Sequence, residues 1–391
     1  LTMLAFSLWS IPCYAQSVSI FNGITWLSEN QNTDGSWGAQ PDLSVINTTD
    51  VVNALLISSG VGSNSSSGIA WLTSQNITST DELSRTITAL ITAGTNSTAL
   101  VTSLLSYRNG DGGWGYDLGS TSDSLDTALA LQTIKAANYS DTTVLYQAIN
   151  FLTTNQHSDG GWGFTSNDPS NAYVTAMALR SLSGYSSQFS VQTSISNAAT
   201  FLLAKQTQNN DGGFGSSPST VYETALSVMA LIESGQGTAQ ALQNAITYLT
   251  NTQLPNGSWN NDPYYTALAL QALAKVKPNL SISSLTLSKP MPREGEDVTI
   301  TALVANNGLE DATGVVVRFF SGDPSTGSGQ VPATGGVQIG TDQVIQLVAR
   351  GSWSETTVTA SFSVNGAKTI YAVVDPDNLI TEISDAQWKR T

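Results

Sequence analysis

Cysteine and histidine are almost missing: Cys13 and His157 stand alone in a chain of 391 residues. A lone cysteine cannot form an internal disulfide, and this pair cannot supply the nitrogen and sulfur ligands of a zinc centre. Ser-His-Asp catalysis would need His157 at its heart, but that residue falls in a turn common to a set of repeats and is expected to be an exposed loop residue. Basic side chains are scarce as well, 14 against 29 acidic ones, and a net charge of -15 repels phosphate backbones. Nucleic acid is therefore excluded as a partner. No apolar run is long enough for a transmembrane segment, and no metal or cofactor is expected.

Only 11% of residues are charged. Ser, Thr, Asn and Gly carry the polar balance, as is common in exported proteins. The apolar stretch Leu4 to Ile11, followed by Pro12-Cys13-Tyr14-Ala15, reads as the core and small-residue end of a secretory signal that lacks its basic start. A signal over residues 1–15, cleaved after Ala15, places the protein outside the cytoplasm, secreted or at the cell surface. Ser10-Ile11-Pro12 lacks the small residues that flank a lipid-modified cysteine, which disfavours an anchor at Cys13.

What is present is periodicity. An Asp-Gly or Asn-Gly turn followed by an aromatic recurs as Gln31-Asn-Thr-Asp34-Gly-Ser-Trp37-Gly38, Gln156-His-Ser-Asp159-Gly-Gly-Trp162-Gly163, Gln206 through Asp211-Gly-Gly-Phe214-Gly215, and Gln253-Leu-Pro-Asn256-Gly-Ser-Trp259. A fifth copy, Asn109-Gly-Asp111-Gly-Gly-Trp114-Gly115, has Arg108 in the Gln position. The Gly residues supply backbone angles closed to other residues, the Asp caps the following turn or helix, and Gln or Arg108 bonds exposed backbone groups.

Two kinds of helix alternate between these turns. Apolar helices are predicted to begin near Ile24, Ile69, Val101, Ile149, Ala199 and Ile246. Helices with a Thr-Ala signature follow at Asp126-Thr-Ala, Val174-Thr-Ala, Glu223-Thr-Ala and Tyr265-Thr-Ala, with looser versions at Arg85-Thr-Ile-Thr-Ala and Asp50-Val-Val-Asn-Ala. Small residues on nearly every side fit the second set for an inner ring packed on both flanks. The end repeats are as apolar as the middle ones, so closure into an α6/α6 toroid over residues 18–277 is expected in place of an open, capped solenoid.

The Gln-x(4)-Gly-x-Trp units resemble the QW repeats of squalene-hopene cyclases and related class II terpene cyclases, whose barrel is shared by protein prenyltransferase β subunits. That resemblance implies proton donation to an alkene by the middle acid of Asp-x-Asp-Asp-Thr-Ala. The matching segment is Asp123-Ser124-Leu125-Asp126-Thr127-Ala128, in which Leu125 takes the donor's place. The zinc site implied by prenyltransferases cannot be built without Cys and His.

The residues just before each Thr-Ala are candidates for the mouth of the barrel. The ligand-binding set is Asp50, Arg85, Asp126, Tyr173, Tyr222, Glu223, Tyr264 and Tyr265, and Asp123, Asp126 and Glu223 are the acid/base candidates. Tyrosines beside carboxylates suit stacking on a flat or ringed ligand, a sugar, an isoprenoid or a tetrapyrrole.

After Pro278 the pattern alternates. Runs at Leu280–Leu287, Asp297–Val304, Gly314–Phe320, Ser354–Phe362 and Lys368–Val374 predict an all-β immunoglobulin-like sandwich over residues 279–391. Pro292-Arg-Glu-Gly295, Val304-Ala-Asn-Asn-Gly308 and Val374-Asp-Pro-Asp-Asn378 resemble CARDB, a bacterial adhesion-related domain. That likeness implies a cell-surface partner and display, with a last strand expected to be incomplete. Three functions follow: an exported prokaryotic protein whose toroid binds a small molecule, isoprenoid or glycan; an enzyme for isoprenoid cyclisation or polysaccharide cleavage; or a structural surface module.

Overall fold

The computed structural model describes residues 12–60, 62–308, 310–322, 336–363, 368–380 and 388–390. Most of the expected signal segment lies outside these residues. The chain divides into two compact units, residues 1–275 and 276–391.

Among the described residues, the first unit holds twelve α-helices in six hairpins. The outer members are α1 (Pro12–Glu29), α3 (Ser63–Thr73), α5 (Thr98–Ser106), α7 (Thr142–Thr154), α9 (Gln192–Asn209) and α11 (Ala239–Asn251). The inner members are α2 (Ser44–Ser59), α4 (Thr80–Thr92), α6 (Ser124–Ala136), α8 (Ala172–Ser183), α10 (Val221–Glu233) and α12 (Pro263–Ala274). Each inner helix packs on the next, and α12 packs on α2 and α1, so the ring closes. Most outer helices start about two turns before the expected apolar signature. In α7 and α11 the first turn is set by polar caps, Asp141 and Thr238, which face water and leave no hydrophobic trace.

The repeat loops rivet five of the six hairpins. In four of them the indole N–H of Trp37, Trp114, Trp162 or Trp259 donates to the carbonyl of Leu27, Leu104, Leu152 or Leu249 in the preceding outer helix, at 2.7–2.8 Å. The backbone N–H of the same residue donates to a threonine hydroxyl of the following inner helix: Trp114 to Thr127 at 2.9 Å, Trp162 to Thr175 and Trp259 to Thr266 at 3.0 Å. Phe214 makes the same backbone bond to Thr224. The Thr-Ala signature is thus explained, because Thr satisfies a buried N–H while Ala lets the inner helices approach. Asp111, Asp159 and Asp211 accept from the backbone two residues on, so they cap the turn and not the helix. Gly112 and Gly160 take positive φ between Asp and aromatic, where a side chain would also strike the neighbouring outer helix.

Gln31, Gln156, Gln206 and Gln253 each donate to a carbonyl of their own loop and to one of a further outer helix: Asn64, Ser194 and Ala241 near the helix start, and Ser19 farther along α1. Arg108 departs from the expected backbone contact and donates to the side-chain oxygen of Gln147 at 2.6 Å, since its longer fork overshoots the carbonyls that an amide reaches. His157 is half-buried, not exposed; it stands where other loops have Asn, and its Nδ1 lies 2.9 Å from Ser170 Oγ.

The second unit has two sheets, ordered β1-β2-β5 and β4-β3-β6-β7, from strands β1 (Leu280–Leu287), β2 (Asp297–Asn306), β3 (Ala312–Ser321), β4 (Val337–Val348), β5 (Ser352–Ser361), β6 (Ile370–Val374) and β7 (Trp388–Arg390). All described pairings are antiparallel, and Ile300, Val304, Val315, Phe319, Ala372 and Val374 share one core between the sheets. Asn306 explains the Asn-Asn-Gly motif. Fully buried, it donates to the carbonyls of Glu310 and Val348 and accepts from the N–H groups of Asn279 and Gly308. Asp375 likewise accepts from Leu379 and Ile380.

Candidate functional site

All six inner helices run the same way, so their N-termini meet at one mouth of the toroid. Five of them begin with a side-chain cap: Ser79, Asp123, Asn171, Thr220 and Asp262. Counting from those caps, the second helical position holds Asp81, Leu125, Tyr173, Tyr222 and Tyr264. The third holds Glu82, Asp126, Val174, Glu223 and Tyr265.

This register corrects the sequence alignment at two places. In α2 the Trp37 N–H bonds Thr48, so the residue equivalent to Asp126 is Asn47, and Asp50 lies one turn deeper. In α4 the equivalent residue is Glu82, and Arg85 also lies one turn deeper. The shift brings the two together. Arg85 Nη1 lies 2.8 Å from Asp50, with both residues more than nine-tenths buried. Arg85 also contacts Asp81 through Nε and donates through Nη2 to the Tyr173 hydroxyl at 3.0 Å, and its guanidinium lies 5.9 Å from the centre of the Tyr264 ring. Gln271 of α12 donates to the Asp50 backbone and carboxylate. Asp81 and Gln271 escaped sequence reasoning. The spacing Ser79-Thr-Asp81-Glu82, a cap two residues before an acid, was the available signal for Asp81.

A row of rings leads away from this knot. Tyr264 meets Tyr265, Tyr265 meets Tyr222, and Tyr222 meets Tyr173, all edge to face at centroid distances of 5.6–6.2 Å. Phe164, 45% exposed, extends the row 6.4 Å from Tyr173. The four tyrosines are half-buried, and burial raises the pKa of each hydroxyl, so they stay neutral.

Asp123 caps α6 by accepting from the Asp126 N–H at 2.9 Å. Burial pushes Asp126 up to about 9, helped by the charge of Asp123, and burial raises Asp123 too, so the pair shares a proton at neutral pH. Asp126 is 5% exposed, and its Oδ1 has no hydrogen-bond partner. Leu125 between them is a buried hydrocarbon. Glu223 is held elsewhere: it accepts from the Thr220 hydroxyl at 2.7 Å and packs against Gly215 of its own loop. At the opposite end of the inner helices, Glu233 binds Arg180 and Lys275 at 2.9 Å each. No group of residues able to hold a metal ion occurs among the described residues.

Comparison with known proteins agrees with this architecture. The sequence profile of the squalene-hopene cyclase C-terminal domain matches residues 120–273, and that of CARDB matches residues 277–388. A 52-residue stretch is 42% identical to the squalene-hopene cyclase of Alicyclobacillus acidocaldarius, covering 13% of this chain and only 8% of that enzyme. Among solved structures, the type II terpene cyclase MstE from Scytonema superposes with a TM-score of 0.56 at 16% identity, over 68% of this chain and 98% of that one. A variant of MstE in complex with its substrate, geranylgeranyl dihydroxybenzoate, gives 0.55 at 14% identity, over 67% and 97%. A protein from Actinoplanes gives 0.54 at 16% identity, over 66% and 98%. The first unit therefore has a terpene cyclase-like toroid fold, and the second matches CARDB.

Proposed function

We propose that the toroid is a binding module for an isoprenoid-class ligand, taken up at the mouth lined by Phe164, Tyr173, Tyr222, Tyr265 and Tyr264, and that it does not cyclise that ligand. The row of half-buried rings carries this reading: it offers a run of aromatic side chains in mutual contact against which an apolar chain can pack. MstE, whose fold this unit shares, holds geranylgeranyl dihydroxybenzoate.

The chemistry of the acids argues against turnover. Protonating an alkene needs a strong acid, one whose conjugate base is stabilised. Asp126 is the reverse, because burial and Asp123 destabilise its anion and make it a poor donor. Leu125 cannot donate at all, and Glu223 is engaged with Thr220. The polar composition and the CARDB match support export and display at a cell surface by the second unit, which surface labelling of expressing cells would test.

Calorimetric titration with farnesol tests the binding. Tyr222→Ala is expected to weaken it at least tenfold, while Tyr146→Ala, at an exposed position on α7, leaves it unchanged. Absence of farnesol binding would favour the structural reading, which one observation supports: Arg85 is already satisfied by Asp50, Asp81 and Tyr173.

A further inference from the structure

We infer that the mouth of the toroid is built for a ligand bearing an alkylammonium group, with the cation seated against the Asp123–Asp126 pair and its carbon chain on the tyrosine row. This rests on the binding reading above and adds the charge of the ligand.

Three observations converge. The first is an excess of carboxylates. Asp50 and Asp81 are both engaged by Arg85, which leaves the Asp123–Asp126 pair without a cation of its own. The groups facing Asp126 are Asp123 on its own helix and Asp81 and Arg85 on α4, and the net field of that set is negative.

The second is a vacant acceptor. Asp126 Oδ1 is buried without a hydrogen-bond partner, and an N–H donor on a ligand would satisfy it. The third is the rings. Tyr173, Tyr222 and Tyr265 are neutral rings in contact with one another, and their electron-rich faces favour a cation with attached alkyl groups over an anion. An anionic ligand would meet carboxylates and an arginine already occupied.

The charge balance is specific. At neutral pH the carboxyl pair holds one proton, and an arriving ammonium replaces it, so that one proton leaves to solvent for each cation bound. Amine affinity should then rise with pH by up to about tenfold per unit between pH 6 and 8, while the affinity of the matching alcohol stays flat.

Farnesylamine and farnesol share one tail and separate the two claims. Titrated calorimetrically in two buffers of different ionisation enthalpy, farnesylamine is expected to bind at least tenfold tighter than farnesol at pH 7.5 and to release about one proton. Asp126→Asn should abolish both the preference and the release. Asp123→Asn, which keeps a good helix cap, should reduce them while leaving the melting temperature near that of the parent. Equal affinity for amine and alcohol, or an amine preference untouched by both variants, would overturn the inference and leave the binding module standing. If neither compound binds, both fall.

Discussion

The side-chain amide of Gln253 donates to the backbone carbonyl of Ser19, 2.9 Å away, and joins the last hairpin to the first. Gln31, Gln156 and Gln206 make the same bond between consecutive hairpins, so the ring is closed by a joint of the kind that holds its interior together. Gln253→Ala should therefore cost about as much as Gln31→Ala, roughly 1–3 kcal/mol in urea unfolding. In an open arc the Gln253 variant would lose only the bond to Gly257 of its own loop and cost less than Gln31→Ala.

Thr127→Val keeps the volume of the side chain and removes the hydroxyl that accepts from the Trp114 N–H, leaving that buried donor without a partner. A loss of about 1–3 kcal/mol is expected. Thr143→Val, on the exposed first turn of α7, should change stability by less than about 0.5 kcal/mol. Thermal or urea unfolding followed by circular dichroism separates the two.

Arg85 and Asp50 form a buried ion pair, and removing Arg85 leaves the Asp50 carboxylate without a cation, held only by the Gln271 amide. Arg85→Met alone is expected to destabilise by about 3–5 kcal/mol, and adding Asp50→Leu should recover most of that loss. A double-mutant cycle in denaturant measures the coupling.

Stability should depend on pH in two windows of opposite sign. Asp126 is raised to about 9 in the folded chain, so the folded state keeps a proton that the unfolded state gives up above about pH 4. Its stabilising contribution is complete in acid and declines from about pH 4 to pH 9, and Asp126→Asn should flatten that decline. For Glu233, burial acts upward but Arg180 and Lys275 outweigh it and hold the carboxyl at about 2. Its contribution is present above about pH 4.5 and is lost as pH falls towards 2, so Glu233→Gln should flatten only the acid limb.

Much of the fold was legible because the residues that carry it repeat. Trp, Gly and Thr recur at fixed offsets wherever an indole must reach a helix end and a hydroxyl must meet a backbone N–H. The site was less legible where a loop is irregular. Asp50 and Arg85 sit in helices whose Thr-Ala signature is degraded, so matching them by the next Ala placed both one turn too shallow. Only the bond from Trp37 to Thr48 and the cap at Ser79 fix their depth. Strand β4 also escaped notice, because it is an edge strand with most side chains in water and shows no clean alternation.

The proposed role requires the mouth of the toroid to hold a ligand without transforming it. Equilibrium dialysis of the protein against farnesol, followed by extraction and gas chromatography, tests this directly. One unaltered farnesol per chain should be retained, and lost in Tyr222→Ala. Recovery of a cyclised product, or no retention at all, would contradict it.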